Sequence, residues 1–244
     1  MEQNTGQTDS KTIGLIGGLA FRAGIFYYDQ IVQRYTAQGR QLRLVLSHAD
    51  VSTVLACINS GDKAGLGIYL GTIANELFGA GAQLVAITAV APHLAIAEFT
   101  QVARGPVVSV LASIRSALDA AGIGRVAIFG NRAVMETNVF GTVPDEMAVQ
   151  LKPALIDAIH ATYSDIALRG KRGTQPEMQF LETAAHELID GDGAQAILLA
   201  GTDLSSFYAE QPPNFPVVNL GRLHIDEIVR RAQEDGRLLV SGNA

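Results

Sequence analysis

The chain has 244 residues, 48% of them apolar and only 17% charged, with 18 Lys and Arg against 24 Asp and Glu for a net charge of −6. That much apolar surface offsets the entropy of ordering and excludes a disordered chain; an acidic balance without long basic runs argues against nucleic acid as a partner. No apolar run reaches the roughly 18–20 residues that cross a bilayer, so no membrane partner is expected.

Residues 1–11, MEQNTGQTDSK, are polar and read as a flexible tail rather than a signal peptide. A strand over 12–16 ends at Gly17-Gly18. A helix follows over 26–35, with Phe26, Tyr27, Ile31 and Val32 at helical spacing. A second strand covers 43–48. Cys57, the single cysteine, lies in an apolar stretch and reads as a buried, unreactive thiol, and a chain without a disulfide partner suits a reducing cytoplasm. A helix over 68–78 places Leu70, Ile73, Ala74, Leu77 and Phe78 on one face, and the glycines at 79 and 81 stop it. Strands at 84–88 and 106–110 precede a helix over 113–121. The plan then restarts. A strand over 125–129 ends at Gly130, and a helix over 153–168 stops at Gly170. Another helix covers 181–189, strands cover 196–199 and 217–219, and a helix over 225–232 closes the chain.

Strands alternating with helices indicate βαβ units and parallel sheets. An internal repeat sharpens this. GAQLVAI at 81–87 matches GAQAILL at 193–199, a lag of 112 residues, and IGLIG at 13–17 matches VAIFG at 126–130, a lag of 113. The fold class expected is therefore α/β, with two pseudo-symmetric parallel-sheet domains and the active-site cleft between them. The first is drawn as 12–110 plus 217–244 and the second as 111–216. Ligands of parallel sheets sit beyond the carboxyl ends of the strands, which puts the chemistry at five strand ends.

Gly17-Gly18 could bring backbone N–H groups to an anion, or could simply be a tight turn needing positive φ. Thr88 and His93 follow the third strand. They could meet a carboxylate, or cap and pack the next helix, whose first turn would hold Pro92. Thr202 could bond a substrate oxygen, and Asp203 could act as a base or as a plain N-cap. Asn131 and Arg132 follow Gly130; Arg132 offers a fork to a carboxylate or pairs with Glu136 one turn on. His160, His186 and His224 fall in helical stretches and read as packing or surface residues. No cluster has metal-ligand spacing, and no glycine-rich nucleotide motif is present, so neither metal nor cofactor is expected.

KTIGLIGGLAF followed by a tyrosine pair, GAQLVAIT with His93 beyond it, VAIFGNR with Met135-Glu136, VPDE, YSDIALRG and GAQAILLAGTD stand in an order and spacing that resembles the aspartate/glutamate racemase superfamily, in its aspartate racemase branch. The resemblance runs from about Lys11 to Ala232. It implies two pseudo-symmetric α/β domains around the active site, no cofactor, a small carboxylate substrate and a homodimer. It also implies two opposed cysteines as acid and base. Thr88 stands where the first belongs and Gly201 where the second belongs. The motif's Trp-Glu after the glycine pair becomes Phe21-Arg22, and an Asn and a Thr become Val90 and Ala91.

A hydroxyl without an activating partner is a poor base and Gly201 has no side chain, so two-thiol racemisation is not expected. The expectation is an isomerase or lyase of altered chemistry on a small carboxylate, or a non-catalytic member that binds a small ligand or partner. Asp203, His93 and Thr88 are the catalytic candidates, with His48 and Asp50 in reserve. Gly17, Gly18, Asn131, Arg132, Gly201 and Thr202 would hold the substrate.

Overall fold

The computed structural model describes residues 10–169, 173–208 and 212–234. Residues 1–9 of the expected tail, Gly170 and the last ten residues of the chain lie outside the described residues. Among the described residues, seven parallel strands form two sheets. β1 (Ile13–Gly17), β2 (Leu44–His48), β3 (Leu84–Ile87) and β4 (Val107–Val108) are ordered β2-β1-β3-β4. β5 (Val126–Phe129), β6 (Ala196–Leu199) and β7 (Val217–Asn219) are ordered β5-β6-β7.

The sequence repeat is carried into strand register. Ile13 pairs with Leu84 across β1 and β3, and Val126 pairs with Ala196 across β5 and β6. Positions related by 113 and 112 residues thus occupy the same rung. β4 and β7 take equivalent places beside β3 and β6.

Helices cover the sheets: α1 (Phe21–Ala37), α2 (Val51–Ser60), α3 (Lys63–Gly79), α4 (Ile96–Val102), α5 (Ile114–Ala120), α6 (Arg132–Glu136), α7 (Asn138–Gly141), α8 (Pro153–Arg169), α9 (Gln175–Asp190), α10 (Thr202–Phe207) and α11 (Leu220–Gln233). Alternation along β1 sends Ile13 and Leu15 to one face, against Tyr27 and Ile31 of α1 and Ile225 and Ile228 of α11. Ile16 goes to the other face, against Val54 of α2 and Leu70 and Leu77 of α3. β5 and β6 are buried along their whole length, which explains their unbroken apolar sequences.

Three local expectations change. Residues 217–219, grouped above with the first half, pair with β6 in the second sheet; only α11 after them returns to the first sheet. The strand expected over 106–110 is cut to two residues because Ser109 accepts the Leu111 amide and starts a 3-10 turn, Val110–Ser113. Cys57 is half-buried rather than buried, since α2 turns only Val54 fully inward.

Candidate active site

β6 runs straight into α10, with Gly201 as its N-cap and Thr202 and Asp203 in its first turn. Asp203 is therefore not the cap; its carboxylate is held inward and is 5% exposed. The Tyr163 hydroxyl of α8 donates to Asp203 Oδ2 at 3.3 Å. Burial pushes the Asp203 carboxyl up to about 6, against the pull of the Tyr163 hydroxyl, its own amide and the positive charge of Arg22. Tyr163 is in turn raised well above an ordinary phenol, by burial and then by the charge of Asp203.

Arg22 stands in the first turn of α1, directly after the Gly17-Gly18 turn. Gly18 needs its positive φ of 89°, and a side chain there would strike the Ala49 carbonyl oxygen at 2.3 Å. The N-cap of α1 is Ala20, which offers no side-chain cap. The start of this 17-residue helix, with the positive end of its dipole and Arg22 in its first turn, thus lies beyond β1.

Thr202 is 1% exposed; among the described residues its hydroxyl has no hydrogen bond of good geometry, and the Tyr27 hydroxyl is its polar neighbour. Tyr27 is engaged elsewhere: its hydroxyl lies 2.8 Å from His224 Nδ1. His224 Nε2 lies 2.9 Å from the Val108 carbonyl, so that nitrogen carries the proton and Nδ1 accepts from Tyr27. The same logic applies to His93. Nδ1 lies 2.9 Å from the Ala89 carbonyl and must donate, which leaves Nε2 to accept the Val110 amide at 3.4 Å. The two rings meet edge to face, with centroids 5.6 Å apart. Burial pulls His93 down to about 4 and His224 down to about 3.

The expected residues separate accordingly. Asp203, Thr202 and Gly201 come together. Thr88 is fully buried and its hydroxyl donates to the Ile16 carbonyl at 3.1 Å. His93 has both nitrogens bound to backbone. Asn131 caps α6 by accepting the Val134 amide at 3.0 Å. Arg132 lies at the surface, 43% exposed, paired with Glu136 at 3.1 Å and with Asp157. Asp50 caps α2, and the Ser52 and Thr53 hydroxyls and amides hold its carboxyl down to about 2. Gly17, Gly18 and His48 line an open pocket of about 260 Å³ with Gly24, Ile25, Tyr28 and Leu46. Sequence reasoning missed Tyr163 and Arg22. No group of metal-ligating side chains occurs among the described residues.

The model of the Asp/Glu/hydantoin racemase family matches residues 16–228. Three solved structures share the fold. A Yersinia pestis protein described as an Asp/Glu racemase is 19% identical, with a TM-score of 0.78 over 92% of this chain and 100% of that one. An aspartate racemase homologue from Pyrococcus horikoshii is 17% identical, with a TM-score of 0.75 over 92% and 100%. The aspartate racemase of Picrophilus torridus is 16% identical, with a TM-score of 0.70 over 91% and 94%.

Proposed function

The chain belongs to the Asp/Glu/hydantoin racemase family, and from that premise we propose that it is an isomerase or lyase that moves a proton at carbon on a small carboxylate substrate, without paired thiols. The observation that carries this reading is Asp203: a buried carboxyl raised to about 6 at the start of a helix, beside a phenol and a guanidinium. A base works best with a pKa near the operating pH, and a carboxylate near 6 is mostly ionised yet far more basic than usual at pH 7. Arg22 and the uncapped start of α1 supply the positive field for the substrate's own carboxylate. The unpartnered Thr202 hydroxyl supplies a further hydrogen bond to a substrate oxygen. The reading includes a cytoplasmic homodimer; Ile25, Tyr28, Leu46, Val51 and Leu55 are exposed apolar residues on α1, β2 and α2 that suit a second copy. Among the described residues no helix is long and apolar enough to cross a membrane.

The test is solvent deuterium exchange at carbon, followed by proton NMR. The panel is both enantiomers of aspartate, glutamate and malate, together with maleate and a malonate half-ester. Exchange or turnover is expected for a member other than aspartate, with Asp203→Asn lowering the rate by about 10²-fold or more. Silence across the panel sinks the reading. A second reading, a member that binds a small carboxylate without turning it over, is favoured by the commitment of Thr88 and His93 to backbone partners. Calorimetric binding without exchange selects it.

A further inference from the structure

Gly201 has no side chain, yet the space a side chain would take is not empty. A Cβ built there would lie 2.3 Å from Tyr163 Cε2, 3.0 Å from Cζ and 3.1 Å from Cδ2. The ring reaches this place because Ile159, Tyr163 and Ile166 lie on one face of α8, and the two isoleucines are buried in the core of the second half. From there its hydroxyl meets Asp203 Oδ2. At the end of β3, Thr88 donates to Ile16, and both His93 nitrogens are bonded to backbone.

We propose that Tyr163 is the positioning residue of Asp203: its ring occupies the volume of the absent residue-201 side chain, and its hydroxyl holds the carboxylate and sets its proton affinity, so that the two act as one unit on one side of the site. The proposal rests on the reading of Asp203 as the base. Among the described residues, the groups that act on Asp203 are Tyr163 from α8 and Arg22 from α1, with the Asp203 amide contributed by α10 itself. The phenol donor favours the ionised carboxylate. Its removal therefore moves Asp203 further from an ordinary acid, in the direction a nonspecific loosening of the site, which admits water, would not give.

The experiment is a carbon-13 NMR titration of protein labelled at the aspartate carboxyls, with Asp203→Asn assigning the Asp203 signal. The native protein is expected to show a midpoint near 6, and Tyr163→Phe, which keeps the ring, a midpoint higher by about one unit. An unchanged or lowered midpoint in Tyr163→Phe overturns the proposal. If Tyr163→Phe does not fold, the reciprocal titration decides. With the tyrosine ring carbons labelled, Asp203→Asn should let Tyr163 ionise at lower pH than in the native protein; no change overturns the proposal equally. The titration needs no substrate. A shifted midpoint with a silent exchange panel removes the reaction and leaves the pair, whereas exchange with an unshifted midpoint does the reverse.

Discussion

A methyl group at residue 201 perturbs one contact whose size can be worked out beforehand. Carbon atoms in van der Waals contact stand about 3.5–4.0 Å apart, and the new Cβ would lie 2.3 Å from Tyr163 Cε2. The ring must withdraw by about 1 Å or more, and its hydroxyl then leaves Asp203. Overpacking of this kind costs about 1–3 kcal/mol, and the lost hydrogen bond adds about 1 kcal/mol. Gly201 has φ of −147° and ψ of 127°, an extended backbone open to any residue, so no conformational strain is added. Replacing Gly by Ala at an N-cap contributes a smaller loss, of the order of 0.5–1 kcal/mol.

Gly201→Ala is therefore expected to destabilise the protein by about 2.5–5 kcal/mol, read as the shift in urea midpoint multiplied by the unfolding slope. The decisive measurement is the double-mutant cycle with Tyr163→Ala. That change opens a cavity and is itself destabilising, but it also clears the space beside residue 201. In its background Gly201→Ala should cost only the N-cap loss, under about 1 kcal/mol, because that loss is present in both backgrounds and cancels from the coupling. A cost of about 2.5–5 kcal/mol that persists after the ring has gone would refute the claim that Tyr163 fills the place of the missing side chain.

The raised Asp203 carboxyl has a consequence for stability. Its folded pKa of about 6 lies above the ordinary 3.8, so its contribution is most favourable below pH 3.8 and is lost as pH rises through 6, an effect of about 3 kcal/mol. Asp203→Asn should accordingly gain on the native protein by up to about 3 kcal/mol between pH 3.5 and pH 7.5 in urea unfolding; a difference that stays flat with pH contradicts the assignment. The buried histidines act with the opposite sign. His93 and His224 are depressed to about 4 and about 3 from 6.5, so the stability they carry is present above pH 6.5 and lost as pH falls through the folded values. Two histidines outweigh one aspartate, and the native unfolding midpoint should fall from pH 6.5 toward pH 4; a level midpoint across that window counts against the neutral pair.

The fold was legible because parallel strands buried on both faces leave continuous apolar runs, and because a repeat at nearly constant lag survives in the same strand pairs. VAIF and AILL could be read as β5 and β6 without knowing what covered them. What could not be read was decided by local hydrogen bonding. Ser109 ends β4 early by accepting the Leu111 amide. Asn138, Val139 and Phe140 take φ of 46°, 46° and 56°, a left-handed turn held through Thr137, whose hydroxyl accepts the Phe140 amide at 2.8 Å. A β-branched residue in that region is unusual, and no sequence pattern announces it.

At the site, a chemical type was legible but its commitments were not. His93 has the right residue type at a strand end, yet two backbone partners and full burial make it part of the scaffold. The same holds for Thr88. Arg132 is an instructive case: its pairing with Glu136 at i,i+4 was visible in the sequence, whereas Asp157, which completes the surface cluster, is 25 residues away. Arg22 was passed over because the resemblance puts an acid at that position. A cation there has a physical reason once Asp203 is seen to be buried nearby. An ionised carboxylate out of water is costly, and the positive charge of Arg22 opposes that cost only in part, as the smallest of the effects that lower the Asp203 carboxyl. Tyr163 was hidden for a related reason. It lies within the family-like stretch YSDIALRG, but its partner is 40 residues downstream. The space it fills exists only because residue 201 is a glycine, so the loss at one position and the tyrosine at the other have to be read together.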